Sequence, residues 1–414
     1  MLNSDKLWRF CRWLLFFAAL QSFGAWFFAI IPPTISYLVT FLVCSLLMFG
    51  KKRTESYYVP WLIIYAIAFL LTVFTQNTAN IFGLVEMFLR LFSVGFVFLL
   101  KPEYKHDFLQ VFRKGFFILC CVSLLFWVLH LIGVGLPHTT FVFGLKGDGE
   151  YQYVFDNYYF FVTLSQHSLF GSIFPRFQGV FLEPGYLGCV MSVFLYIDKY
   201  RLKKNRESIV FFIVLFFTFS LAGWLLTLLG FVLVKIKDSE KRLLWMALIA
   251  LFVFGVNIAA KTYNGGNNII NVYIIERLQT DETKGIVGNT RLSESVQRAF
   301  WDDFIFSNSL WFGGVEASSY TDFTHESNEV TAYTYIMQYG LVAFVFLLWY
   351  YLFPVFKNKK NRYSLFSLSI IFILVFAQTI HMTHSFMYVF LFIMCVNEII
   401  YYQSDNDIDQ LEII

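Results

Sequence analysis

Long apolar runs separated by short basic stretches dominate the chain. A helix needs about 20 apolar residues to cross a hydrocarbon core. Runs of roughly that length lie at 13–31, 34–50, 60–76, 81–100, 115–136, 177–197, 243–260, 334–353, 364–382 and 385–402. The first leads through Pro32-Pro33 into the second with no small-residue cleavage site, so it reads as a span and not as a signal peptide. The stretch 208–234 is a single apolar run of 27 residues with Arg206 before it and Lys235 and Lys237 after it. One helix would put these basic ends on opposite sides. Two short helices of about 12–14 residues, turning near Ser220 to Gly223, keep them on one side, and the pattern then predicts 12 helical segments.

The positive charge fits this map. Of the 31 Lys and Arg residues, 23 fall in the alternate segments 6–12, 51–53, 101–114, 199–206, 235–242 and 357–362. Basic residues concentrate on the cytoplasmic side of membrane proteins, which predicts that both termini are cytoplasmic. Composition agrees: 58% of the 414 residues are hydrophobic and 14% are charged, against about 25% charged in soluble domains. A soluble enzyme, a disordered chain and a disulfide scaffold are thereby disfavoured. The expected fold is an all-α polytopic membrane protein. Cys11, Cys44, Cys120, Cys121, Cys189 and Cys395 all fall in apolar stretches and read as packing residues. The net charge of +3 adds little.

The resulting organisation is N-terminal membrane helices (1–136), a first outer loop (137–175), central helices with the short hairpin (176–260), a large outer loop (261–333), C-terminal helices (334–402) and an acidic tail (403–414). Loops of this length in a compact domain are usually functional. The large one carries ten acidic and five basic residues together with Trp301 and Trp311. That mixture suits a sugar-handling surface or an interfacial one.

Three constellations could carry chemistry. In Arg176-Phe-Gln-Gly179-Val-Phe-Leu-Glu183-Pro184-Gly185, Arg176 is expected at the outer mouth and Glu183 about two turns deeper, with Pro184 kinking the helix. A carboxylate at that depth must be paired or face a wet cavity. Gly288-Asn-Thr-Arg291 leads into a predicted amphipathic helix whose Leu292, Val296, Phe300 and Phe304 form one apolar stripe. Arg291 precedes the stripe, where a guanidinium and free helix amides can grip a phosphate. Arg298 has Glu294 and Asp302 at four-residue spacing and reads more simply as a surface ion pair. Thr324-His325-Glu326-Ser327-Asn328 holds the only histidine of the large loop, a group able to move a proton near neutral pH. Glu86 and Arg90, four apart within an apolar run, are an internal ion pair or a lipid-diphosphate contact. His381 and His384 make at most half a metal site. Asp302-Asp303 reads as a solvated face, and no glycine-rich phosphate loop or nucleic-acid motif is present.

In order, the chain presents Arg-x-x-Gly-x-Phe-x-Glu-Pro-Gly from Arg176, Ser220-Leu-Ala-Gly223 at the hairpin turn, Asn289-Thr-Arg291, Leu310-Trp-Phe-Gly313-Gly314, His325-x-x-Asn328, and a helix containing Gly340. This order resembles the bacterial O-antigen polymerase and ligase superfamily, most closely the Wzy-type polymerases. The likeness runs from about 170 to 345 by motif and elsewhere by topology. It implies a glycosyltransferase of the inner membrane that joins oligosaccharide repeats carried on undecaprenyl diphosphate. Arg176, Arg291, His325 and Glu183 would be catalytic, and Arg298, Asn328, Glu86 and Arg90 would bind substrate. The resemblance implies no metal and no cofactor. Its partners are the lipid-linked oligosaccharide and membrane lipids, with room for a chain-length regulator protein. Many relatives carry an arginine just after the hairpin serine, where this chain has Leu221-Ala222-Gly223. Ligases tend to lack the Glu-Pro-Gly element, which favours a polymerase.

Overall fold

The computed structural model describes residues 4–22, 25–26, 33–50, 58–74, 81–143, 153–164, 168–169, 174–202, 205–238, 251, 254–255, 258, 261–263, 280–281, 285–286, 299–314, 332–378 and 386–402. Among them the protein is mostly helical: α1 (Ser4–Ser22), α2 (Pro33–Gly50), α3 (Tyr58–Phe74), α4 (Ile81–Leu99), α5 (Pro102–Leu131), α6 (Pro184–Ile197), α7 (Arg206–Thr218), α8 (Leu221–Asp238), α9 (Ala332–Lys357), α10 (Arg362–Gln378) and α11 (Phe386–Tyr401). Every apolar run read from the sequence overlaps one of these helices except 243–260, which lies largely outside the described residues.

Several boundaries differ from the hydropathy reading for local reasons. The helix α5 starts at Pro102, before the apolar run, because proline is pre-set for the first helical position and Glu103 favours the first turn. The first helix stops at Ser22, and Ala25 pairs instead with the extended backbone of Phe181. The predicted hairpin turn falls at Phe219, which caps α7 in the left-handed region (φ 47°). The Thr218 Oγ1 accepts the Ser220 N–H and the Ser220 Oγ accepts the Gly223 N–H, which together open α8. That helix runs to Asp238 and is longer than the 12–14 residues expected.

The all-α expectation needs correction in the segment between α5 and α6, read from the sequence as a first outer loop. There β1 (Thr139–Phe143), β2 (Tyr153–Asn157) and β3 (Val162–Leu164) form an antiparallel sheet in the order β1-β2-β3. These β-branched and aromatic residues favour extended backbone, a signal too short for a hydropathy reading to register.

The chain divides into two compact units. The first comprises Met1–Tyr58, Phe88–Leu228 and His384–Ile414; the second comprises Val59–Met87 and Leu229–Thr383. In the first, α5 packs against α1, α7 and α11, and α6 lies along α7. Charged groups are buried within it. Lys105 is fully buried, donating to the Phe98 carbonyl at 2.9 Å with its Nζ 3.2 Å from the centre of the Tyr58 ring. Arg113 meets Asp198 at 2.8 Å and Glu207 at 3.2 Å, and Ser208 and Asn205 also donate to Asp198. Burial raises the Asp198 carboxyl, opposed by Arg113 and these hydrogen bonds. Removing one partner of a buried pair strands the other, at about 3–5 kcal/mol. Asp198→Ala leaves the buried Arg113 only the partly exposed Glu207 as partner and should lower the thermal midpoint of the detergent-solubilised protein. The double variant Arg113→Met/Asp198→Leu should recover most of that loss.

In the second unit Trp61 of α3 donates to the Tyr350 carbonyl of α9 at 2.8 Å and stacks on its ring. The burial of the sequence-read stripe of the large loop is borne out at its described end, but the expected continuous helix is not: a turn at Asp303 leads into a 3-10 turn over Phe304–Phe306. Phe300 and Phe304 are buried against Met337, while Asp302 and Asp303 face solvent. Helix α9 is interrupted at Gly340 (φ 86°, ψ 162°), and the Trp311-Phe312-Gly313-Gly314 backbone lies against that break.

Polarity is inverted along these helices. On α2, Ile35, Leu38, Leu42 and Leu46 are about half exposed, whereas Ser36 and Thr40 are buried. Ile118, Leu125 and Val128 on α5, and Val345 and Trp349 on α9, are likewise exposed. Among the described residues two helices, Pro102–Leu131 and Ala332–Lys357, are long and apolar enough to cross a membrane. All six cysteines are free thiols, five buried and Cys121 half-buried, in keeping with a packing role.

Candidate functional site

The best-defined candidate is the segment from Arg176 to Gly185. It is an irregular strap and not the start of a membrane helix. Backbone hydrogen bonds pin it on several sides. The Phe177 N–H donates to the Phe217 carbonyl, the Trp26 N–H to the Val180 carbonyl, and the Val162 N–H to the Gly179 carbonyl. Gly179 supplies the turn (φ 56°) and is buried against Leu187. Phe177, Val180 and Phe181 anchor the strap in the core of the first unit.

Arg176 is half-buried at the α7–α8 turn. Its Nε donates to the Thr218 carbonyl at 3.0 Å and its Nη2 to the Phe219 carbonyl at 3.2 Å. The guanidinium thus caps the C-terminal end of α7, where the helix dipole favours a cation. A guanidinium has five N–H donors, so a capping role and an anion-binding role are compatible. The sequence motif at Arg176 and the motif at Ser220–Gly223 therefore form one structural feature. Glycine completes it: Cβ atoms built at Gly188 and Gly223 would fall 2.9 Å from Ser220 and 3.0 Å from the Gly188 backbone.

Glu183 is placed differently from the sequence expectation. It is the N-cap of α6 in extended conformation, with Pro184 at the first helical position. Proline opens the helix here and does not kink it, since its missing N–H is one that a helix start leaves unpaired. The two-turn helical depth inferred for Glu183 falls with that correction. Its carboxylate folds over the first turn, with Oε1 3.0 Å from where a Gly185 Cβ would stand, and the positive end of the α6 dipole stabilises it. Between Arg176 and Glu183, Gln178 is buried, and its amide nitrogen has no acceptor among the described residues.

The other sequence candidates are less fully seen. Arg90 sits on α4 with its guanidinium carbon 5.2 Å from the Tyr37 ring centre. The side chain of Glu86 lies outside the described residues, as do Arg291, Arg298, His325, Asn328, His381 and His384. Leu310–Gly314 and Gly340, quoted as separate motifs, meet in the second unit. The carbonyls of Thr218 and Phe219 escaped the sequence reading, because a backbone acceptor leaves no residue-type signal. No protein-family model, no curated protein and no solved structure matches the chain.

Proposed function

We propose that this chain is a multi-pass membrane glycosyltransferase of the bacterial inner membrane, both termini cytoplasmic, that polymerises oligosaccharide repeats carried on undecaprenyl diphosphate. The observation that carries the reading is the pinned strap, which holds the Arg176 guanidinium on the Thr218 and Phe219 carbonyls at the α7–α8 turn and leads directly into Glu183 at the N-cap position of α6. The outward apolar faces support membrane insertion, since soluble monomers rarely expose large apolar patches.

In the proposed reaction an acceptor hydroxyl attacks the anomeric carbon of the donor sugar. A new C–O bond forms, the bond to the diphosphate breaks, and undecaprenyl diphosphate leaves with the electron pair. Fixed cations stabilise the charge that develops on the leaving group. Arg176 and Arg291 are the proposed cations, each able to hold phosphate in a fork. The hydroxyl proton passes to His325 or, as second candidate, Glu183. Arg298, Asn328, Glu86 and Arg90 are the proposed outer contacts to the carrier or sugar.

Deletion of the gene followed by electrophoresis of surface polysaccharide tests the class. A polymerase deletion leaves single repeat units on the acceptor. A ligase deletion leaves none, with long chains held on carrier lipid. Loss of lipid-linked repeats from the outer leaflet would identify a flippase instead. Topology has its own test. With cysteines placed singly in a cysteine-free chain, an impermeant maleimide should label position 140 from outside and spare position 360. External labelling of position 360 would overturn the map.

A further inference from the structure

The tip of the β2–β3 hairpin is exposed and yet closely constrained. Tyr158-Tyr159-Phe160-Phe161 closes on itself, the Tyr158 N–H donating to the Phe161 carbonyl and the Phe160 N–H to the Tyr158 carbonyl. Tyr159 is held at φ 66°, a backbone region unfavourable for a side chain of this size. Asn157, itself buried, accepts the Tyr159 N–H at 2.8 Å, and Trp26 Nε1 donates to the Tyr159 carbonyl at 3.2 Å. Ser123 donates to the Phe160 carbonyl at 2.6 Å, and the Phe160 ring stacks on Phe126 at 4.4 Å. Despite these restraints the Tyr159 and Phe160 rings remain 48% and 46% exposed. Strain of this kind persists where the surroundings over-determine it, and it concentrates at ligand contacts.

Polar groups gather around Tyr158, the first residue of the same turn. His130 and His138 lie 4.6 and 5.1 Å from the Tyr158 ring, which also stacks on Phe161. Burial pushes the Tyr158 hydroxyl up, and the Asp156 carboxylate two residues before it adds to that rise. Two imidazoles, a phenol and a carboxylate offer both donors and acceptors. The tip is also tied to the strap. Trp26 clamps Val180 with its backbone N–H and Tyr159 with its indole, and Val162 bonds Gly179.

From this juxtaposition we infer that Tyr159 and Phe160, with His138 and Tyr158 at their edge, form a subsite that stacks a neutral sugar ring beside the Arg176 strap. This rests on the strap being the reaction site. A pyranose has an apolar C–H face that covers an aromatic ring and a hydroxyl rim that needs mixed donors and acceptors. A membrane anchor needs only a ring with one wet tip, and would require neither the fixed backbone at Tyr159 nor the imidazole cluster.

The test uses the full chain in lipid nanodiscs. Its probe is the carrier-free oligosaccharide released by mild acid from the producing cell's surface polysaccharide, with binding read by saturation-transfer NMR and calorimetry. Tyr159→Gly removes the ring while suiting the left-handed backbone, so it should fold at least as well as the native chain. It is expected to weaken oligosaccharide binding about tenfold, the scale of one aromatic stacking contact, with Tyr159→Trp restoring it. Arg176→Ala should change binding of this probe, which lacks the carrier diphosphate, less than about twofold. Unchanged binding in Tyr159→Gly would overturn the subsite. So would a fluorophore on Tyr159→Cys that brominated lipid quenches and oligosaccharide does not shield, which would mark a membrane anchor. Polymer loss on gene deletion without any oligosaccharide binding would sink the subsite and spare the reaction. Binding that depends on Tyr159 in a chain whose deletion leaves the polysaccharide intact would do the reverse.

Discussion

Arg176→Ala is expected to lower polymer formation at least about 10²-fold, the usual cost of removing one group that stabilises developing charge. Arg176→Lys should be nearly as inactive, because an ammonium keeps the charge but cannot span the Thr218 and Phe219 carbonyls and a phosphate in one fork. Two explanations of such a loss compete, substrate binding and capping of α7. Phe219 separates them. It sits in the left-handed region at the helix end, where glycine is the favoured residue. Phe219→Gly should relax the turn and offset part of the lost cap, by up to about 1 kcal/mol. The double variant Arg176→Ala/Phe219→Gly is then expected to regain thermal stability and remain unable to extend chains. Matched membrane levels and chain-ladder gels in a deletion strain supply both readouts. Recovery of normal ladders in the double variant would reduce Arg176 to a helix cap and end its proposed role in the reaction.

The apolar runs were legible because helices such as α2 carry apolar residues on their exposed faces as well as their buried ones, so the run along the sequence is unbroken. Each of the described runs accordingly overlaps a helix. The turn at Phe219 could be foreseen to within a residue or two, since charge at both ends of one long run admits few other solutions. The strap was misread for a specific reason. Hydropathy cannot distinguish Val180-Phe-Leu182 in an irregular strap from the same residues in a helix. What sets the conformation is pairing with Ala25 and Trp26, about 155 residues away in sequence. Buried Lys105 and Arg113 were counted only as markers of side, because neither the ring of Tyr58 nor the carboxylate of Asp198 can be assigned to them from spacing along the chain. The hairpin tip was likewise invisible: nothing in Tyr-Tyr-Phe-Phe announces a positive φ, which arises from Asn157, Trp26 and Ser123 acting together.

The largest structural effect should come from the two glycines that join Leu310–Gly314 to α9. Gly313 and Gly340 both have positive φ, 71° and 86°. A Cβ built at Gly313 would stand 2.4 Å from the Gln338 carbonyl oxygen, and one at Gly340 would stand 2.4 Å from the Trp311 carbonyl oxygen. Both collisions are with backbone, which cannot swing aside as a side-chain tip can. The Gly314 N–H meanwhile donates to the Gln338 carbonyl at 3.0 Å, satisfying an acceptor at the break in α9. Alanine at either position therefore adds an unfavourable backbone conformation, at about 1–3 kcal/mol, and also pushes the two backbones apart. Gly314 is the internal control: its φ is 92°, yet a Cβ there would meet nothing within 4 Å. Gly314→Ala should incur the conformational cost alone. Thermal unfolding of the detergent-solubilised full chain should rank Gly313→Ala and Gly340→Ala well below Gly314→Ala. The Gly313→Ala/Gly340→Ala pair should lose less than the sum of its singles, since both break one contact. Equal midpoints for Gly313→Ala and Gly314→Ala would show that φ matters at these glycines and the close backbone approach does not.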